Sequence, residues 1–261
     1  MKTFVTVLAV AFVFAGLSPA RAEVSTGVVE YRHGDVVLEG YLAYDAALMG
    51  KRPGVLVVHE WMGHDPYVRM RAEQLAGLGY VAFALDMYGK GARPKDAKEA
   101  AALAGLYRGD RKLMRARAAA GLDVLRNHAR VDRARLAAIG YCFGGTVALE
   151  LARSGADLVS VVTFHGGLDT PTPEDAKNIR GKVLALHGGD DPSVPPKQVD
   201  AFQEEMRKGG VDWQFVSYGG AVHRFTNPEA GSDNSKGRAY NERADRRSWE
   251  AMKTFFAETL R

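Results

Sequence analysis

The chain reads as an α/β protein, a mostly parallel central sheet with helices on both faces. Three observations predict this. Short runs rich in Val, Ile, Leu and Ala recur, each bounded by Gly or polar residues. Between them lie stretches whose apolar residues repeat at helical spacing. The two patterns alternate along the chain, as strands joined by crossover helices require.

The elements follow in order. VVEYRHGDVVLEGYLAYD (Val28–Asp45) holds two β-rich runs around His33-Gly34-Asp35 and predicts a hairpin. GVLVVHE, GYVAFALD, LAAIGYC and KVLALHG predict four buried parallel strands, and DLVSVVTFHGG and DWQFVSYGG add two more. Met114, Ala118, Gly121, Leu122 and Leu125 form one helical stripe, and Trp249, Met252, Phe256 and Leu260 another. GTVALELA is apolar nearly all round, which predicts a buried helix.

Residues 1–22 stand apart. MKTFVTVLAVAFVFAGLSPARA has an early Lys2, an apolar run from Phe4 to Leu17 and the small-residue pattern Ala20-Arg21-Ala22. That layout predicts a secretory signal peptide cleaved after Ala22. The run falls short of the roughly 18–20 residues of a membrane anchor. The expectation is an exported protein, periplasmic or secreted, with residues 23–261 forming one domain of monomer size and no membrane attachment after cleavage. The formal charge is +4, and Lys2 and Arg21 leave with the leader. Basic residues such as those of RKLMRARA alternate with apolar ones and read as a solvated helix face, so no nucleic-acid partner is expected.

One cysteine occurs in 261 residues, Cys142 in IGYCFGGTVALELA. A single thiol cannot close an internal disulfide, and most buried cysteines are inert. Its position argues otherwise. Cys142 falls between a predicted strand and a predicted helix, with Gly140 and Gly144 two residues away on either side. A nucleophile elbow needs that turn and those small neighbours, and a helix N-terminus favours a thiolate.

A cysteine nucleophile needs a base, and the base an orienting acid. In α/β-hydrolases these follow the nucleophile in the order acid, then histidine. GDDPSVP (Gly189–Pro195) follows one strand, and AVHRF with His223 follows the next. Asp191 fits the acid role, with the adjacent Asp190 as its rival. His187 suits ordering of the acid loop and His165 the lining of a pocket. His33, His64 and His128 have no comparable setting and are expected at the surface. No His-x-x-x-His pair suggests a metal, and no cofactor is called for. The first oxyanion donor is expected at the N–H of Phe143, the second in the loop after VVHEWMG. Glu60 in that loop is either an exposed or capping carboxylate or part of the chemistry.

HEWMG, ALDMYG, GYCFGG, GGDDPSVP and YGGAVHRF together resemble the dienelactone hydrolases, over most of residues 23–261. The resemblance implies an α/β-hydrolase fold and a Cys-His-Asp triad carried by Cys142, His223 and Asp191. It implies that Glu60 contacts the resting cysteine and helps form the thiolate, and that Trp61 supplies the second oxyanion N–H. The family's two carboxylate-binding arginines correspond to Lys90 and Asn227, the first a point charge and the second uncharged. The expected activity is hydrolysis of a small ester or lactone through an acyl-enzyme. A thioesterase or peptidase on the same triad, or a binding protein with a vestigial site, are the alternatives. YGKGARPKDAKEA after Tyr88 is read as a flap over the pocket or a plain surface connection.

Overall fold

The computed structural model describes residues 23–261; the predicted leader, residues 1–22, lies outside them. The hairpin comes first, β1 (Val24–His33) against β2 (Val36–Asp45), antiparallel throughout. β3 (Arg52–Val58), β4 (Val81–Ala84), β5 (Val131–Tyr141), β6 (Ser160–Phe164), β7 (Lys182–Gly188) and β8 (Trp213–Tyr218) are the six further strands that the apolar runs predict. They join one eight-stranded sheet in the order β1-β2-β4-β3-β5-β6-β7-β8. From β4 to β8 every pairing is parallel, and β2 enters antiparallel to β4.

The helices are α1 (Pro66–Gly77), α2 (Ala97–Gly109), α3 (Arg111–Asn127), α4 (Phe143–Arg153), α5 (Pro196–Lys208) and α6 (Glu242–Thr259). They cover both faces. Met114, Ala118 and Leu122 of α3, Val147 and Leu151 of α4 and Phe202 and Met206 of α5 bury one face. Val68, Ala72 and Leu75 of α1 and Met252, Phe255 and Phe256 of α6 bury the other. Among the described residues no helix is long and apolar enough to cross a membrane.

α4 is buried along its whole length, as its sequence predicts. That burial takes in two charges, Glu150 and Arg153. Arg153 answers Glu150 at 3.1 Å and Glu205 of α5 at 2.7 Å, and Arg115 of α3 reaches Glu150 at 2.8 Å. A buried charge persists only when paired in this way.

The chain switches direction across the sheet at β3. β4 lies on one side of it and β5 on the other, so the loops leaving β3 and β5 diverge. A crevice opens beyond the carboxyl ends of the strands at such a point. The ends of β3, β5, β6, β7 and β8 supply the site. The segment after Tyr88 is a connection into α2, with the Lys90 N–H donating to the Val37 carbonyl of β2.

Candidate active site

Cys142 occupies the turn between β5 and α4 with φ +53° and ψ −116°, a conformation costly for a residue with a side chain. The turn is tight enough to dictate glycine on both sides. A Cβ on Gly140 would collide with the Gly144 carbonyl, and one on Gly144 with the Val58 and His59 carbonyls of the neighbouring strand end. The Phe143 N–H, first of α4, has no intrahelical acceptor.

His223 leaves the loop after β8 and meets Cys142. Its Nε2 stands 3.0 Å from Sγ, while Nδ1 donates to Asp191 Oδ2 at 2.8 Å. Asp191 is buried, and its other oxygen accepts the Ser193 N–H at 2.8 Å. Asp190 beside it is exposed and turned out of the arrangement. Burial alone would lower the His223 pKa, but the facing Cys142 and Asp191 outweigh it and push it up to about 10.

Trp61 follows β3 and lines the cavity. Its carbonyl accepts the Tyr88 hydroxyl at 2.8 Å, which fixes the peptide. His59 holds the preceding turn: the Met87 N–H donates to its Nε2 at 3.2 Å, so Nδ1 carries a proton toward the Glu60 carbonyl. The Glu60 carboxylate is fully buried. Arg224 donates to it from Nε at 2.9 and 3.1 Å and lies 2.7 Å away through Nη2, and Asn227 Nδ2 donates at 2.8 Å. Cys142 is not among its hydrogen-bond partners. The thiol faces the histidine instead.

The cavity over Cys142 and His223 has a volume of about 550 Å³. Arg108, Arg224, Lys236 and Arg238 line it, against the single carboxylate of Asp169. Arg108 comes from α2 and lies over the Phe143 ring, 5.9 Å from its centroid. Lys90 and Asn227 are not on the wall. Lys90 pairs with Glu30 at the surface, and Asn227 is buried against Glu60.

Two histidines, His165 and His64, differ in setting from their sequence reading. His165 is fully buried beneath the site instead of lining it. His64 was expected at the surface and is buried, because Ala84 O and Arg69 Nε satisfy both ring nitrogens. His187 is buried against Phe215. No group of three or more metal-ligating side chains occurs among the described residues.

The dienelactone hydrolase family model matches residues 38–260. The chain belongs to the dienelactone hydrolase family. As a dienelactone hydrolase-like protein it is a hydrolase with the α/β-hydrolase fold. The solved structure of m3DLH is 45% identical, with a TM-score of 0.88 over 91% of this chain and 99% of its own. A dienelactone hydrolase-like promiscuous phosphotriesterase from metagenomic libraries is 42% identical, with a TM-score of 0.86 over the same shares. A Bradyrhizobium protein named "Probable 2-oxo-3-(5-oxofuran-2-ylidene)propanoate lactonase" is 32% identical over 199 residues, 72% of this chain and 79% of its own.

Proposed function

We propose that this dienelactone hydrolase-like protein cleaves a small carboxylic ester or lactone through a Cys142 acyl-enzyme. One observation carries the reading: Cys142 Sγ, His223 and Asp191 form a continuous contact at 3.0 and 2.8 Å. The thiolate attacks the carbonyl, and the developing oxyanion meets the N–H groups of Phe143 and Trp61. His223 passes its proton to the leaving alkoxide, which in a lactone stays tethered to the acyl group. Water then attacks the thioester, His223 takes its proton, and the thiolate is released. These steps call for no cofactor.

Glu60 acts through Arg224, which it fixes at the cavity wall. The excess of cations there supports a substrate bearing an anionic group. Arg108, Lys236 and Arg238 take the place that the sequence offered to Lys90 and Asn227. The similarity to a Bradyrhizobium lactonase supports a lactone. The 42% identity with a promiscuous phosphotriesterase supports a second reading, phosphotriester cleavage on the same thiolate. The leader-like residues 1–22 support export, which N-terminal sequencing of the extracytoplasmic protein tests.

The deciding experiment profiles aryl esters, lactones, thioesters, peptides and phosphotriesters with wild type and Cys142→Ala, alongside intact-mass trapping of the acyl-enzyme. Ester or lactone turnover with an adduct on Cys142 is the expected result. Turnover that survives in Cys142→Ala, or no turnover of any ester or lactone, overturns the reading.

A further inference from the structure

His165 sits where the nucleophile and base loops meet, yet it is walled off from the cavity. It directly follows β6 with φ +41° and is fully buried. The Cys142 N–H is shared between the Phe164 carbonyl and His165 Nδ1, each at 3.1 Å. A backbone N–H only donates, so Nδ1 is the acceptor and the proton resides on Nε2. Nε2 then donates to Thr226 Oγ1 at 2.7 Å. One neutral ring spans the elbow that carries the nucleophile and the loop that carries the base.

The span is anchored at its far end. Thr226 Oγ1 lies 2.6 Å from the Tyr67 hydroxyl of α1, and the Thr226 carbonyl accepts Arg71 Nη2 at 2.8 Å. Arg71 in turn pairs with Asp245 of α6 at 2.6 Å. The His165 ring also meets His223 edge to face, with centroids 5.4 Å apart. Burial, with the cationic neighbours His223, Arg224 and Arg71, holds its pKa well below the usual histidine value, so the ring stays neutral beside a protonated His223.

We propose that His165 is a positioning residue that sets the Cys142–His223 spacing, by bridging the Cys142 N–H to the Thr226 hydroxyl of the base loop. It touches neither substrate nor the reacting atoms. The inference rests on the reading of Cys142 as nucleophile.

The test uses His165→Phe, Thr226→Val and their double variant in the full chain, with His165→Asn as the conservative control. Two readouts are needed: kcat against KM, and the pH profile of Cys142 alkylation by iodoacetamide. Without the bridge the thiolate loses its partner. Iodoacetamide alkylation of Cys142 near neutral pH then slows. We expect kcat to fall on the order of tenfold or more, with KM changed less than about twofold. Thr226→Val gives the same slowing from the other end of the bridge, and the double variant is no worse than the worse single. Asn accepts positive φ and offers an oxygen to the Cys142 N–H, so His165→Asn recovers part of the loss.

An unchanged alkylation profile in Thr226→Val, or kcat losses that only track the folded fraction by circular dichroism, overturns the proposal. Should His165→Phe fail to fold, Thr226→Val decides alone, since it keeps the side-chain shape. Failure of the nucleophile reading is distinguishable: there the wild-type thiol itself resists alkylation near neutral pH.

Discussion

His223 Nδ1 and Asp191 Oδ2 lie 2.8 Å apart, while Asp190, one residue earlier, faces solvent. The pair fixes the imidazole tautomer, because an ionised carboxylate only accepts and so Nδ1 must carry the hydrogen. Asp191→Asn can present its amide N–H and trap the wrong tautomer, for a loss in kcat of roughly 10⁴-fold. Asp190→Asn leaves kcat within about twofold, as surface changes usually do. Steady-state kinetics on the two variants separates the carboxylates that sequence alone left open.

Gly144 backs directly onto the Val58 and His59 carbonyls. Those are backbone atoms of a central strand end and cannot swing aside. Gly144→Ala therefore costs at least the ~1–3 kcal/mol of an overpacked core and displaces the Phe143 N–H. Urea unfolding measures the first effect. A kcat loss larger than the stability loss explains reports the second.

Arg108 lines the cavity without an ion-pair partner among the described residues. Arg108→Ala is expected to lower kcat/KM for a carboxylate-bearing ester by about tenfold relative to a neutral ester of the same size, in line with one lost charge-assisted hydrogen bond. Lys90→Ala, at the surface with Glu30, leaves that ratio unchanged. Competition between the two esters in one reaction gives the ratio directly.

Acid lability is expected from His64. Burial is the main cause that holds its pKa down, near 3, against 6.5 for the free side chain. The unfolded chain therefore binds a proton that the native state refuses. Stability is fully present above about pH 6.5 and is lost as pH falls toward 3. His59 and His165 are depressed in the same direction and add to the slope. His64→Gln keeps a donor and an acceptor but cannot titrate. Its urea midpoint is expected to fall less steeply than wild type between pH 6.5 and 4.

All eight strands were legible: β3 to β7 advertise themselves as the apolar runs of a buried parallel sheet, and β1, β2 and β8 as β-rich runs bounded by turn residues. α1, α2 and α5 were not: α1 and α5 each place a charge in the buried stripe, Arg71 and Glu205, and the first turn of α2 was read into the segment after Tyr88. Those charges are satisfied only in three dimensions, by Asp245 and by Arg153. Cys142, Asp191 and His223 fall at strand ends, where position along the chain translates directly into position on the crevice. Arg108 sits in the last turn of α2 and Arg238 in a long loop, so neither gave a signal. Lys90 and Asn227 marked places in loops whose path the sequence could not fix, and His64 lacked any local cue that two partners awaited it.

The contacts around Cys142 are long-range in sequence. His223 lies 81 residues further along the chain, and the Glu60–Arg224 pair closes a span of 164 residues. A partly folded chain thus carries an ordinary thiol, slow toward electrophiles at neutral pH. Only when β7 and β8 have joined the sheet edge can the cysteine acquire its partner. Refolding followed by rapid alkylation would read the completion of the C-terminal half through a single sulfur atom near the middle of the chain.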